Sequence, residues 1–484
     1  MTDRVLLRGG HVLTMQPGAG YMGAGDVLVF GDRIEAVGPR IDADSAAEVV
    51  DVTGKIVLPG FVDTHRHTWE TAVRGCAPDA TLDDYMAYVK AILAPAFQPD
   101  DVYASNLAGA LECLNAGITT LVDWSHINNT PQHPDAAIRG LQDAGIRAQY
   151  AYGCGNSTPG DATHGASTAI ASGEVRRVRE TYASSDAGLL TMALAARGPG
   201  LSDPEVVRSE FQTAADVGIP VTMHAAMGAV AGRLGMVRQL GEMDLLRPGT
   251  TYVHACHLTD EEWALVAGSG GHISVAPQIE MQMGHGWPPV LTALRNGLAP
   301  SLSADVVTSG PGDMFTQMRA AFAAGRAWAH AAAWERGAGA ARPSGSASKY
   351  SLTAGEPGFG GDGPADRMLT ARQMLEMATI NGARGIGLAG RTGSLAVGKQ
   401  ADIVVIDATA INLAPVNDPV AAVVNCADVS NVEHVLVGGT FRKRDGRLLA
   451  DTARARGLAE AGRDAVLARA GTQGAGAGKQ EVIA

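Results

Sequence analysis

The chain is poor in charge, in aromatic residues and in cysteine. Of its 484 residues only 18% are Asp, Glu, Lys or Arg and 5% are aromatic, which argues against a coiled coil or a charge-rich disordered polymer. Basic residues number 38 against 50 acidic ones, a formal net charge of −12. Nucleic acid and anionic membranes are held by clustered cations, so neither is an expected partner. The five cysteines, Cys76, Cys113, Cys154, Cys256 and Cys426, are odd in number and widely spaced, with no CxxC. Neither a disulfide framework nor a Cys-based zinc knuckle is expected, and a reducing cytoplasm suits such usage. There is no run of eighteen uncharged apolar residues and no apolar core in the first ten residues, so neither a membrane span nor a secretory leader is expected.

What the chain does have is apolar material, 46% of its residues, in two patterns. Residues 5–7, 11–13, 27–29 and 33–37 read as short strands broken by glycine turns, a small antiparallel sheet. Strand-length apolar runs then alternate with Ala/Leu-rich helical stretches. Eight such runs occur, at 56–62, 119–124, 147–153, 190–195, 220–224, 251–255, 272–276 and 298–304. Unbroken apolar runs are strands buried on both faces. Eight of them alternating with helices predict an α/β fold, a (β/α)8 TIM barrel over residues 59–389, whose chemistry sits at the strands' C-terminal ends. Residues 337–364, rich in Gly, Ser, Ala and Pro, read as a surface loop or lid. Strands return at 402–406 and 434–437, so residues 1–58 and 390–448 are expected to form one small β-sandwich from both chain ends. Residues 449–484 are expected to be a helical and then disordered tail.

The first barrel run leads into Asp63-Thr64-His65-Arg66-His67. Histidines at i and i+2 on a strand point the same way, and imidazole is a favoured ligand of divalent zinc or iron. Alone, the pair is also compatible with two polar loop residues. However, His224 ends the fifth run, His254 and His257 end the sixth, and Asp305 follows the eighth. Four strands deliver His or Asp to one rim, which predicts a metal site.

The sequence resembles the amidohydrolase superfamily, in its mononuclear cytosine-deaminase-like and triazine-hydrolase-like branch. The resemblance rests on residues 58–67 (LPGFVDTHRH), Arg74-Gly75, residues 116–120 (AGITT), Met223-His224, residues 253–262 (VHACHLTDEE), residues 303–305 (SAD), residues 378–383 (ATINGA), and the stretch from Gly393 to the GKQADIVV of residues 398–405. It spans about residues 5–448. It implies that His65, His67, His224 and Asp305 hold one divalent metal ion, zinc or iron with zinc favoured, which lowers the pKa of bound water toward ~7. It also implies that Asp305 is the general base and His254 a catalytic imidazole, with His257 a second one or a hydrogen-bond partner behind it. A small-molecule substrate and a homodimer are expected.

Two departures stand out. Deaminases of this branch carry His-x-x-Glu after the fifth strand, the Glu serving as proton shuttle, whereas this chain reads His224-Ala225-Ala226-Met227. Ser274-Val275-Ala276-Pro277 replaces a common His-Asn-Pro on the seventh. Glu280 and Glu70 are therefore candidate substitute acids facing the mouth, Trp69 a candidate stacking surface, and His126 a further pocket residue. Met281, Met283 and His285 are expected along the same wall. The expected reaction is hydrolysis of a C–N bond in a small planar or heterocyclic compound. A lyase or ring-opening reaction on the same metal, or a non-catalytic binding role, stays open. Residues 474–480 lack the full phosphate-loop pattern, and Arg176 to Arg179 beside Glu174 and Glu180 read as a solvated helix face.

Overall fold

A computed structural model describes residues 4–18, 22–42, 47–155, 168–337 and 368–474. Eight parallel strands, hydrogen-bonded in chain order, make the barrel: Phe61–Arg66, Ile118–Ser125, Arg147–Tyr152, Leu190–Ala196, Val221–Ala225, Thr251–His254, His272–Val275 and Ser301–Leu302. The second, third and fourth are buried along their whole length, which is why they read as unbroken apolar runs. The ring closes just beyond the last strand, where Asp305 bridges Arg66. Asp305 N donates to His65 O at 3.0 Å and His67 N donates to Asp305 O at 2.8 Å. Inside the barrel, Thr64 Oγ1 lies 2.7 Å from Ser274 Oγ and 2.8 Å from Ser301 Oγ. Ser274 is thus a buried hydroxyl satisfied within the barrel.

Helices cover the outside, and their ends follow local chemistry. Pro99–Asn115 and Pro204–Val217 begin with proline at the first turn, where its missing N–H costs nothing. In Asp260–Ser269 the Thr259 hydroxyl accepts from Glu262 N while Glu262 reaches back to Thr259 N, a capping box. The acidic residues after His257 therefore start a helix. Arg177 pairs with Glu174 and Asp135 at 2.9 Å each, on a partly solvated helix face.

The second sheet has nine strands from both chain ends. Its central pairing sets Ile403–Asp407 antiparallel to Lys55–Pro59, which pairs in turn with Arg4–Val12. The single run expected at 56–62 is therefore two strands in two sheets, divided at Gly60. The division has a steric cause: a Cβ on Gly60 would lie 2.1 Å from Thr119 Oγ1, so the chain crosses from sheet to barrel where only glycine fits. A buried ion pair ties the sheet to the bottom of the barrel. Arg147, at the start of the third strand, donates from Nε to Asp402 Oδ2 at 2.6 Å and from Nη2 to Asp402 Oδ1 at 3.1 Å. Thr392 Oγ1 and Gly438 N also donate to that carboxylate. The Asp of the GKQADIVV stretch is thus structural.

The tail begins as the helix Thr452–Gly474, which packs on Pro99–Asn115 and donates from Arg469 Nε to Ala96 O at 2.7 Å. Residues 338–364 of the expected lid, and nearly all of 474–480, lie outside the described residues; Gly337 ends the helix Met314–Gly337. Among the described residues no helix is long and apolar enough to cross a membrane.

Candidate active site

At the C-terminal rim the His65 and His67 rings lie 4.7 Å apart, edge to face. His65 Nε2 is 3.1 Å from Asp305 Oδ1 and 3.2 Å from His224 Nε2. His67 Nε2 is 3.5 Å from the same carboxylate oxygen. Trp124 O can only accept, so His67 Nδ1, 2.8 Å away, carries the hydrogen and Nε2 presents its lone pair. Burial pushes the His67 and His224 pKa values well below 6.5. Burial alone would raise that of Asp305, but the hydrogen bond and charge of His65, with the other imidazoles, hold it well below the usual carboxylate range. Three imidazoles around an ionised carboxylate, with the ring nitrogens of His65, His67 and His224 within 4.8 Å of one another, are a donor set that fits one divalent cation.

His254 stands at the end of the sixth strand, with Nε2 3.7 Å from Asp305 Oδ2. Its Nδ1 donates to Glu280 Oε1 at 3.2 Å, an oxygen that also accepts from Ala276 N at 2.8 Å. Burial lowers the His254 pKa to about 4 and pushes that of Glu280 well above the usual range. His254 is therefore a neutral ring with Nε2 aimed at the cluster.

The cluster opens into a cavity of about 920 Å³. His67, His224, His254, Asp305, Trp124, His126 and Met227 line it near the cluster, while Tyr85, Lys90, Arg197, Met283 and His285 belong to its walls. His126 stacks on His67 with centroids 4.0 Å apart. Five expectations need correction. Trp69 is fully buried behind the wall and donates from Nε1 to His126 Nδ1 at 3.0 Å, so it offers no open stacking face. Glu70 is also fully buried, accepting from Tyr85 OH at 2.6 Å, and Tyr85 occupies the wall in its place. Glu280 lies behind His254, because the helix Pro277–Gln282 turns its carboxylate inward onto Ala276 N. His257 is exposed and outside the cavity, since His254 and Ala255 take positive φ and swing the chain away. Met281 is exposed as well.

Two features were missed by sequence reasoning. Ala226, His254, Ala255 and Asp305 all have positive φ without being glycine. Such backbone is strained, and its concentration at one rim marks a site held in shape by the fold; no sequence signal announces it. Lys90 is buried in the wall and donates from Nζ to His126 O at 3.2 Å. A lone lysine between apolar residues in a helical stretch was its only trace.

The family model described as "Amidohydrolase family" matches residues 56–352 and 360–442. A 5-methylthioadenosine/S-adenosylhomocysteine deaminase of Symbiobacterium thermophilum is 28% identical over 457 residues, 92% of this chain and 94% of that protein. A 5'-deoxyadenosine deaminase of Methanosarcina mazei is 25% identical with the same coverage. Among solved structures, a mutant atrazine chlorohydrolase of Arthrobacter aurescens complexed with zinc and atraton superposes with a TM-score of 0.79 at 23% identity, covering 95% of this chain and 100% of that one. An adenosine deaminase of Xanthomonas campestris with bound zinc gives 0.78 at 22%, covering 96% and 98%.

Proposed function

The chain belongs to the amidohydrolase family, and from that membership we propose a metal-dependent hydrolase that cleaves a non-peptide carbon–nitrogen bond of a small planar nitrogen heterocycle. The observation that carries this reading is the convergence at the barrel rim of His65 with Asp305 at 3.1 Å and His224 at 3.2 Å, and of His67 with the same Asp305 oxygen at 3.5 Å. These four residues would hold one divalent metal, zinc in our reading, as in the two zinc-containing structures of similar fold. A divalent metal held there would lower the pKa of a water beside it, supplying a nucleophile near neutral pH. Asp305, kept ionised, accepts the proton of the attacking water. His254, with Nδ1 tied to Glu280, directs Nε2 at the reacting centre. Trp124 and His126 would bound the substrate on the second-strand side and Met227 on the fifth.

Met227 favours a second reading. The wall position where related deaminases have a proton-shuttling Glu offers no proton here, which suits displacement of a leaving group that departs without one. Cytoplasmic residence and a homodimer belong to the same proposal, and light scattering on the purified chain tests the dimer.

The test joins metal analysis to a substrate screen. The purified chain should carry about one zinc, and the His65→Ala/His67→Ala variant should lose it together with activity. Ammonia release is followed from 5'-methylthioadenosine, S-adenosylhomocysteine, 5'-deoxyadenosine and adenosine, and chloride release from atrazine. Full activity in metal-free protein would overturn the mechanism, and leaving-group identity separates the two readings.

A further inference from the structure

His285 is used by nothing described so far. It lies in the loop after the helix Pro277–Gln282 and is 2% exposed. Its ring lines the cavity, 4.5 Å from that of His254 and edge to face with it. Among the described residues, neither Nδ1 nor Nε2 has a hydrogen-bond partner. The backbone around it is fixed: its carbonyl accepts from Gly228 N at 2.8 Å, so the ring stands beside the turn that carries Met227. The next residue, Gly286, has φ 138° where a Cβ would meet Cys256 and His257 at 2.7–2.8 Å.

A buried polar atom left without a partner costs about 1–3 kcal/mol. The ring pairs with no carboxylate, and burial lowers its pKa to about 3. A neutral imidazole has one N–H donor and one acceptor nitrogen. The group that completes it is therefore polar and presented from within the cavity, next to the centre that His254 faces.

We infer that His285 is a specificity-determining residue that hydrogen-bonds a ring nitrogen or exocyclic N–H on the edge of a heterocyclic substrate, doing on the fifth-strand side what Met227 cannot do. This rests on the heterocycle reading above and narrows it: the substrate must carry a polar edge near the reacting carbon, and an otherwise equal ring with C–H there is rejected. A site built to hydrogen-bond its substrate discriminates strongly against an analogue lacking that group.

The test uses the zinc-loaded full chain, with adenosine and its 1-deaza, 3-deaza and 7-deaza analogues as probes, in direct binding and in turnover. The native chain should bind at least one deaza analogue about tenfold or more weaker than adenosine. In His285→Phe that preference should shrink to within about twofold, with zinc content and Tm unchanged, and His285→Gln should restore part of it. Should His285→Phe not fold, His285→Ala reads the same ratio. A preference unchanged in the Phe or Ala variant overturns the inference while leaving the hydrolase reading intact. If no member of the series binds the native chain, the same comparison is made with the screened heterocycle that does and its C–H analogue; if none of the screened compounds binds, the heterocycle reading fails, and this inference falls with it.

Discussion

Glu280 Oε1 sits 3.2 Å from His254 Nδ1 and 2.8 Å from Ala276 N, so one oxygen takes both hydrogens. The pair sets which nitrogen of His254 faces the metal ligands. Glu280→Ala leaves both donors buried without an acceptor. It is expected to lower kcat/KM by about 10–100-fold, while Glu280→Gln, which keeps the acceptor oxygen, stays closer to native. Steady-state kinetics on whichever screened compound turns over will decide, and equal losses in both variants would count against this role.

Lys90 gives a pH signature. Burial lowers its pKa from 10.5 to about 7. Below about pH 7 the folded chain has to bury an ammonium; above pH 10.5 the lysine is neutral in both states and that cost is gone. Between these limits the unfolded chain binds the extra proton, so stability gains as pH rises. Lys90→Met is expected to be more stable than native at pH 7, by a margin that shrinks by about 1.4 kcal/mol per unit as pH rises toward 10. Urea midpoints of both proteins at pH 7 and 9 measure it; a constant margin would refute the assignment.

Arg147 and Asp402, 1% and 0% exposed, join the terminal sheet to the barrel. Arg147→Met strands the Asp402 carboxylate and is expected to cost roughly 3–5 kcal/mol of unfolding free energy. Because the pair lies at the end of the barrel opposite the cavity, kcat/KM of the folded fraction should stay within about threefold of native. Denaturant titration and kinetics on the same preparation check both halves.

Gly60→Ala places a methyl 2.1 Å from the Thr119 hydroxyl at the crossing between the two sheets. Overpacking of this kind costs about 1–3 kcal/mol, and a matching drop in Tm is expected with zinc content preserved. A neutral substitution would mean that the crossing relaxes more freely than its packing indicates.

The barrel was legible because strands buried on both faces leave continuous apolar runs, and the clustering of His65, His67, His224 and Asp305 because they are His and Asp at the ends of those runs. His126 reached the cavity as expected. Trp69, Glu70 and Glu280 did not, for one physical reason: proximity in sequence to a strand end says nothing about whether a helical turn aims a side chain inward or outward. The 3-10 turn Thr68–Val73 and the helix Pro277–Gln282 both fold their carboxylates away from the opening. The split at Gly60 was hidden because an apolar run looks the same in one sheet or two. The positive φ of His254 and Asp305 has no compositional signature at all.

Asp305 closes the ring of strands through hydrogen bonds to the backbones of His65 and His67. The last stitch of the barrel and the proposed grip on an ion thus use the same few residues, the first through their backbones and the second through their side chains, contributed by segments some 240 positions apart in the chain. High-affinity metal uptake therefore has to wait until the ends of the barrel have met, which makes the rate of ion capture during refolding a clock for the final step of assembly.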